Sequence, residues 1–413
     1  MAKQKKEEVK PEEGKEEEEC EEEPTEAEKT PVTIVTGFLG AGKTTLVNHI
    51  LKGKHGMRIA VVENEFGAVS IDDALVSENL KSAESIVTMD NGCVCCTVRG
   101  DLIRALTELA ERVPKFDAVL IETTGLADPA PVAFTFYINP DINNAFKIDS
   151  ILCLVDCKHI KQHLDEVKPD NAVNEAVQQV AFADRVLLNK TDLVSAEELA
   201  DVRGTISSVN KFAELIECRN STVDLARILG VNSFSIENTL EVDPEFLLDD
   251  EDEGEQGNAL EPDSKKRKTK RKIHDLSGVG SVGLMLEGDL DDVVFNSFMQ
   301  QLLQAKARDL YRSKGVLSIA GQGDVKFVFQ GVHEQINFGP SQAIWKEGEK
   351  RINKLVFIGR GLNRSELEEG FKKCISTPLP EGWSQATDEF GRRYYFHTET
   401  RKTQWTKPVK EDA

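Results

Sequence analysis

The sequence has no long apolar run: nowhere in its 413 residues do uninterrupted apolar side chains approach the roughly 18 needed to span a membrane. Its first residues, Met1-Ala2-Lys3-Gln4-Lys5-Lys6, run into glutamates and not into the apolar stretch of a secretory leader. The expectation is a soluble, cytoplasmic protein with no membrane partner. Cysteine is also scarce. Eight in 413 residues is far below the density of a disulfide-built scaffold. Positive charge is in deficit, with 51 Lys and Arg against 72 Asp and Glu, so the net charge is −21. A folded body without a basic face lacks the phosphate attraction of a nucleic-acid binder, and no nucleic-acid partner is expected.

That acidity is unevenly placed. Residues 1–30 hold thirteen Glu and six Lys, residues 243–263 hold ten acidic side chains and no basic one, and residues 265–272 hold seven basic ones. Such stretches are too polar to bury a core, and they read as a disordered arm (1–30) and a disordered linker (241–274). The basic run 265–272 has two readings, a nuclear import signal or a solvated linker that offsets the acidic tract.

Between arm and linker, β-branched and apolar runs at 32–36, 58–62, 86–89, 118–121, 151–155 and 185–188 alternate with helical stretches such as 44–52, 99–112 and 174–183. This alternation predicts an α/β domain over residues 31–240, built on a doubly wound, mostly parallel sheet. After the linker, strand patterns at 282–286, 315–320, 326–330 and 354–359 and helix patterns at 291–304 and 365–374 predict a small α+β domain over 275–376, a sheet with two helices on one face. No internal repeat is present.

Gly37-Phe38-Leu39-Gly40-Ala41-Gly42-Lys43-Thr44 fits G-x-x-x-x-G-K-[ST] and sits between an expected strand and an expected helix. In that context the backbone N–H groups of Gly37, Gly40, Ala41, Gly42 and the Thr44-Thr45 helix start face phosphates, Lys43 reaches the outer phosphates and Thr44 ligates Mg²⁺. Asn189-Lys190-Thr191-Asp192 follows a later strand, where an open α/β sheet places ligands. A carboxylate at Asp192 can accept from guanine N1–H and N2, a donor pair that adenine lacks, so the nucleotide expected is GTP. The 118–121 strand delivers Glu122 to the Mg²⁺ shell, and Gly125 can offer its N–H to the γ-phosphate. Lys43, Thr44 and Glu122 are the expected catalytic residues. Leu126 stands where Ras-like GTPases carry a water-orienting Gln, so slow intrinsic hydrolysis is expected.

Cys93-Val94-Cys95-Cys96 crowds three thiols behind Gly92. In an extended strand Cys93 and Cys95 share one face and Cys96 takes the other, so the three meet one ion only if the segment turns. Three thiolates suit Zn²⁺ or Cu(I), with a fourth position left for a carboxylate, water or another protein. A redox pair and a buried structural group are the competing readings. Glu65, in Glu63-Asn64-Glu65-Phe66-Gly67, is a further candidate metal ligand. The other cysteines read as a tail thiol (Cys20) and buried or incidental residues (Cys153, Cys157, Cys218, Cys374).

Residues 377–410 look like a WW domain, an all-β three-stranded sheet, on the strength of Leu379-Pro380-Glu381-Gly382-Trp383, Arg393-Tyr394-Tyr395-Phe396 and Trp405-Thr406-Lys407-Pro408. Strand alternation puts Tyr394 and Trp405 in a groove for a proline-rich peptide and packs Trp383, Tyr395 and Pro408 on the other face.

The phosphate loop, Glu63–Gly67, the cysteine run, Glu122-Thr123-Thr124-Gly125 and Asn189–Asp192 together resemble the CobW family of P-loop GTPases, most closely its zinc-regulated GTPase metalloprotein activators. The resemblance extends to about residue 376, where the α+β segment is similar to the family's smaller domain. It implies a metallochaperone that binds Zn²⁺ at Cys93, Cys95 and Cys96 and couples GTP hydrolysis to delivery into a client metalloenzyme; methionine aminopeptidase is a client associated with the family. Two other readings stay open: a GTPase carrying another metal, such as cobalt in a cobalamin-type pathway, and a GTP-switched adaptor acting through the WW domain.

Overall fold

The computed structural model describes residues 28–53, 55–63, 86–88, 97–112, 115–166, 168, 174–233, 278–307, 309–333, 335–377, 379–388, 393–405 and 408. Most of the acidic arm and the charge runs of the linker lie outside those residues.

The first domain runs β1 (Thr30–Gly37), α1 (Lys43–Lys52), β2 (Ile59–Glu63), β3 (Ile86–Thr88), α2 (Thr97–Ala110), β4 (Ala118–Glu122), α3 (Ala130–Ile138), α4 (Pro140–Ala145), β5 (Phe146–Asp156), α5 (Ile160–Leu164), α6 (Glu175–Phe182), β6 (Arg185–Asn189), α7 (Ala196–Val209) and β7 (Glu214–Glu217). The seven strands lie in the order β3-β2-β4-β1-β5-β6-β7, and every neighbouring pair is parallel. Alternate residues of β1 serve opposite faces, which is why β-branched and apolar residues recur along its whole length. Val32 and Ile34 pack with Leu102, Leu106 and Phe136, while Val35 packs with Leu46, Val47 and Ile50 of α1. Because β1 separates β4 from β5, the strand order reverses there. A doubly wound sheet opens its ligand crevice at the carboxyl end of such a strand, and here that end is Gly37.

The second domain runs β8 (Val279–Glu287), α8 (Asp292–Lys306), β9 (Leu310–Ser318), β10 (Val325–Val332), β11 (Gln335–Ile344), β12 (Ile352–Arg360) and α9 (Arg364–Lys372). Its antiparallel sheet has the order β11-β10-β9-β12-β8. One face packs Leu284, Leu317, Phe329 and Phe357 against Phe295 and Met299 of α8 and Leu367 and Phe371 of α9, the expected two helices on one side. The opposite face turns Tyr311, Val332, Val356 and Ile358 onto Val180, Phe182, Val202 and Ile206 of the first domain, so the two domains share one core.

Two strands depart from the sequence pattern for physical reasons. β9 begins at Leu310, five residues before the apolar run at 315, because the buried Arg312 and half-buried Lys314 are strand residues paired with Asp184 across the domain boundary. β11 contains Pro340 and carries little alternation; it is an edge strand, where a missing N–H costs no ladder bond.

The chain ends in β13 (Trp383–Thr387), β14 (Arg393–His397) and β15 (Thr403–Gln404), a three-stranded antiparallel sheet. Among the described residues no helix is long and apolar enough to cross a membrane.

Candidate nucleotide site

The phosphate loop leaves β1 through two glycines that no other residue can replace. Gly37 has φ 139°, and a Cβ there would lie 2.3 Å from Leu154 O; Gly42, the N-cap of α1, has φ 109°, and a Cβ there would lie 2.5 Å from Asn189 Nδ2 and 2.6 Å from Ser221 Oγ. Lys43 is 8% exposed and donates from Nζ to Gly37 O at 2.8 Å and Phe38 O at 3.4 Å, so its ammonium is already drawn over the loop. Burial lowers its pKa, and the charge of Glu122 works against that shift. Thr45, one position further into α1, is exposed.

Thr44 Oγ1 donates to Glu122 Oε1 at 3.0 Å, and Glu122 stands in parallel register beside Glu63 of β2. A helix-start hydroxyl beside strand-end carboxylate oxygens is the hard-donor set that Mg²⁺ takes, so the residues fit that ion.

The base side is assembled from three loops. Asn189 donates from Nδ2 to Ala41 O at 2.9 Å and Ser221 Oγ at 3.0 Å, and its Oδ1 accepts from Ser221 N at 3.0 Å. Ser221 Oγ in turn donates to Gly42 O at 2.9 Å. Lys190, at φ 59°, bonds Asp156 at 2.8 Å, and Asp192 is exposed in the short 3-10 turn Thr191–Leu193. Burial raises the Asp156 pKa, but bonds from Lys190, His159 and the Lys158 N–H outweigh it and hold the carboxyl below its usual range. Sequence reasoning missed Ser221 and Asp156. The available signal was positional: each follows or ends a parallel strand on the same edge as Asn189.

On the γ-phosphate side, Thr123 N donates to Val35 O at 2.9 Å and fixes the end of β4 to β1. Gly125 is buried against the phosphate loop, since a Cβ there would lie 2.6 Å from Leu39 Cδ2 and 2.8 Å from Leu39 N. Leu126 beside it is 53% exposed. Gln179 of α6, also missed from sequence, donates to Gly125 O at 3.1 Å and Ala127 O at 3.0 Å.

Cys93, Cys95, Cys96 and Glu65 lie outside the described residues. The described chain leaves β3 at Thr88, in register with Glu63, and resumes at Thr97, the start of α2. Among the described residues no group of three or more His, Cys, Asp or Glu is placed to hold a metal. Cys153, Cys157, Cys218 and Cys374 are buried, and burial pushes their thiols up to about 12, 12, 11 and 11, far from thiolate chemistry. In the terminal sheet, Trp383 and Tyr395 are each 6% exposed and Pro408 is buried, whereas Trp405 is 60% exposed with its ring 6.0 Å from Tyr394, edge to face. The two rings thus meet edge to face, with Trp405 open to solvent.

A glycine loop at the switch point of a parallel sheet, with a lysine, a threonine and a strand-end carboxylate around it, defines a P-loop nucleotide-binding protein. More narrowly, the chain belongs to the CobW family: residues 31–217 match the CobW/HypB/UreG nucleotide-binding domain, residues 279–375 the cobalamin synthesis protein cobW C-terminal domain, and residues 379–408 the WW domain. It is 34% identical over 345 residues to the zinc chaperone YjiA of Escherichia coli K12, covering 82% of this chain and 97% of that protein. It is 32% identical over 354 residues to the zinc-regulated GTPase metalloprotein activator 1 of Schizosaccharomyces pombe, covering 81% and 83%. A crystal structure of Zn(II)-bound YjiA GTPase from E. coli superposes with a TM-score of 0.59 at 29% identity, covering 84% of this chain and 99% of that one.

Proposed function

We infer that this protein is a zinc metallochaperone that binds and hydrolyses GTP and couples turnover to transfer of zinc into client metalloenzymes, a methionine aminopeptidase among them. The observation that carries the nucleotide half is the convergence of Lys43, the Thr44–Glu122 pair and the Asn189–Ser221 stitch on one loop. Lys43 would exchange its loop carbonyls for the β- and γ-phosphate oxygens, and Asp192 would read guanine. Thr44 and Glu122 would hold Mg²⁺, which supplies charge neutralisation on the phosphates. Gly125 would donate its N–H to the γ-phosphate, so that loss of this group releases the loop beside it. Zinc, the cargo, would sit on Cys93, Cys95 and Cys96, with Glu65 as a further ligand. That reading is supported by the thiol-rich run itself and by the zinc-chaperone relatives. The Tyr394–Trp405 groove would bring a proline-rich partner to the same chain. We place the protein in the cytoplasm.

The test is zinc affinity measured with GTP, with GDP and without nucleotide, and repeated with Co²⁺ as competitor. Zinc held more tightly with GTP than with GDP, and lost in Cys93→Ser, is the expected result. Equal zinc affinity in all three nucleotide states would remove the coupling, and Co²⁺ displacing Zn²⁺ would reassign the cargo.

A further inference from the structure

The γ-phosphate loop is sandwiched. Leu39 of the phosphate loop lies on one side of Gly125, leaving no room for a side chain there. On the other side is the amide of Gln179, 1% exposed, with both of its N–H groups on the loop carbonyls of Gly125 and Ala127. Its neighbour Gln178 donates to Asp128 Oδ2 at 3.1 Å, and Asp128 Oδ1 accepts from Ala130 N at 2.9 Å at the start of α3. Gly125, Ala127 and Asp128 are therefore held by two consecutive side chains of one helix.

That helix is fastened at both ends to something else. At its start, the N-cap Asn174 accepts from Val177 N at 3.2 Å and donates to His163 O at 2.6 Å, and the His163 ring stacks on Phe38 of the phosphate loop at 3.9 Å. At its end, Phe182 O accepts from Arg312 of β9 at 2.5 Å, and the Phe182 ring packs 6.1 Å from Tyr311 and 5.5 Å from His333. Two residues on, Asp184 pairs with Arg312, and with Lys314 at 2.8 Å. Eight helical residues span about 12 Å, and only about 4.5 Å of rise separates Gln179 from Phe182. A rigid element this short, with hydrogen bonds at each end, moves as one body.

We propose that Gln179 is the positioning residue for the γ-phosphate-sensing loop, and that α6 carries the loop's position to β9 of the carboxyl-terminal sheet. When Gly125 closes on a γ-phosphate, its carbonyl and that of Ala127 draw Gln179 with them. Because Phe182 and Asp184 are clamped to β9, the displacement reaches the second domain. This rests on the GTP reading above and adds the residue and the route.

The test uses the full chain with Mg²⁺ and either GTPγS or GDP. In the wild type, amide hydrogen exchange in β9 is expected to slow with GTPγS relative to GDP, together with exchange at residues 125–128. Gln179→Met keeps the shape and removes both donors; it is expected to lower GTPγS affinity about tenfold, within the usual coupling range, to leave GDP affinity within about twofold, and to erase the β9 difference. A structural role alone would lower the melting temperature and move both affinities together. Gln179→Met with an unchanged GTPγS-to-GDP ratio overturns the proposal. Should that variant fail to fold, the wild type still decides: identical β9 exchange in the two states overturns the proposal, and a difference supports it. A wild type that binds no guanine nucleotide overturns the GTP reading, and this one with it.

Discussion

On the base side of the site, Asn189 and Ser221 tie the loops after β6 and β7 to Ala41 and Gly42 through neutral, buried or half-buried hydrogen bonds that stay within one domain. On the γ side, residues 125–128 rest on Gln178 and Gln179, and the helix that carries those residues ends in a buried charge cluster on the other domain. The first arrangement ties the phosphate loop to loops of its own domain alone. The second hangs residues 125–128, the loop proposed to close on the γ-phosphate, on an element whose far end belongs to another body. Holding and responding are thus divided between the two halves of one site.

The charged end can be broken most severely. The Asp184 side chain is 5% exposed and faces Arg312 and Lys314, so Asp184→Asn removes the carboxylate that both cations face at the domain boundary. A loss of about 3–5 kcal/mol is expected from urea unfolding. Base-side chemistry should survive, with the GDP affinity of the folded fraction near wild type; GDP binding that fell in step with stability would show that the two halves are not separate.

Asn189→Ala attacks the other half. It strands Ala41 O and Ser221 N in a buried place, each costing about 1–3 kcal/mol, and nucleotide binding should weaken about 100-fold. The informative quantity is the ratio. If the base side only holds, GTPγS and GDP lose affinity equally in titrations, and a change in their ratio beyond about threefold would contradict the division drawn here.

The sequence made one half of this contrast visible and hid the other. Gly37–Thr44 and Asn189–Asp192 are local strings whose chemistry depends on backbone N–H groups and one carboxylate, and the β–loop–α order around them is fixed by apolar runs such as 32–36. Gln179 carries no such mark, because a Gln in an amphipathic helix looks solvent-facing until β4 is laid beside it. Arg312 and Lys314 are hidden for the same reason: alternating cations in Leu310–Ser318 carry no apolar run, and the Asp184 carboxylate that pairs with both lies 128 and 130 residues away in sequence. Ser221 sits in a polar stretch after a four-residue strand, too short for its alternation to be read. Local patterns announce residues that act through the backbone next to them; long-range polar pairs become legible once the strands are aligned.

The smallest effect tests whether the charged end is tuned by pH. Burial, reinforced by neighbouring Arg312, pushes the Lys314 ammonium down to about 8, and Asp184 offsets only part of that. In the unfolded chain the same group titrates near 10.4. Between those two values the unfolded state binds the extra proton, so this residue makes folding more favourable as pH rises from about 8 to about 10.4, and contributes no slope below that window. The measurable quantity is the stability of wild type minus that of Lys314→Met, which cancels every other titration. It should climb by on the order of 1–3 kcal/mol across the window and stay flat from pH 6 to 7.5. A flat difference throughout would mean that Lys314 keeps its proton in the boundary, leaving Asp184 bound to two full charges and the α6–β9 clamp indifferent to pH.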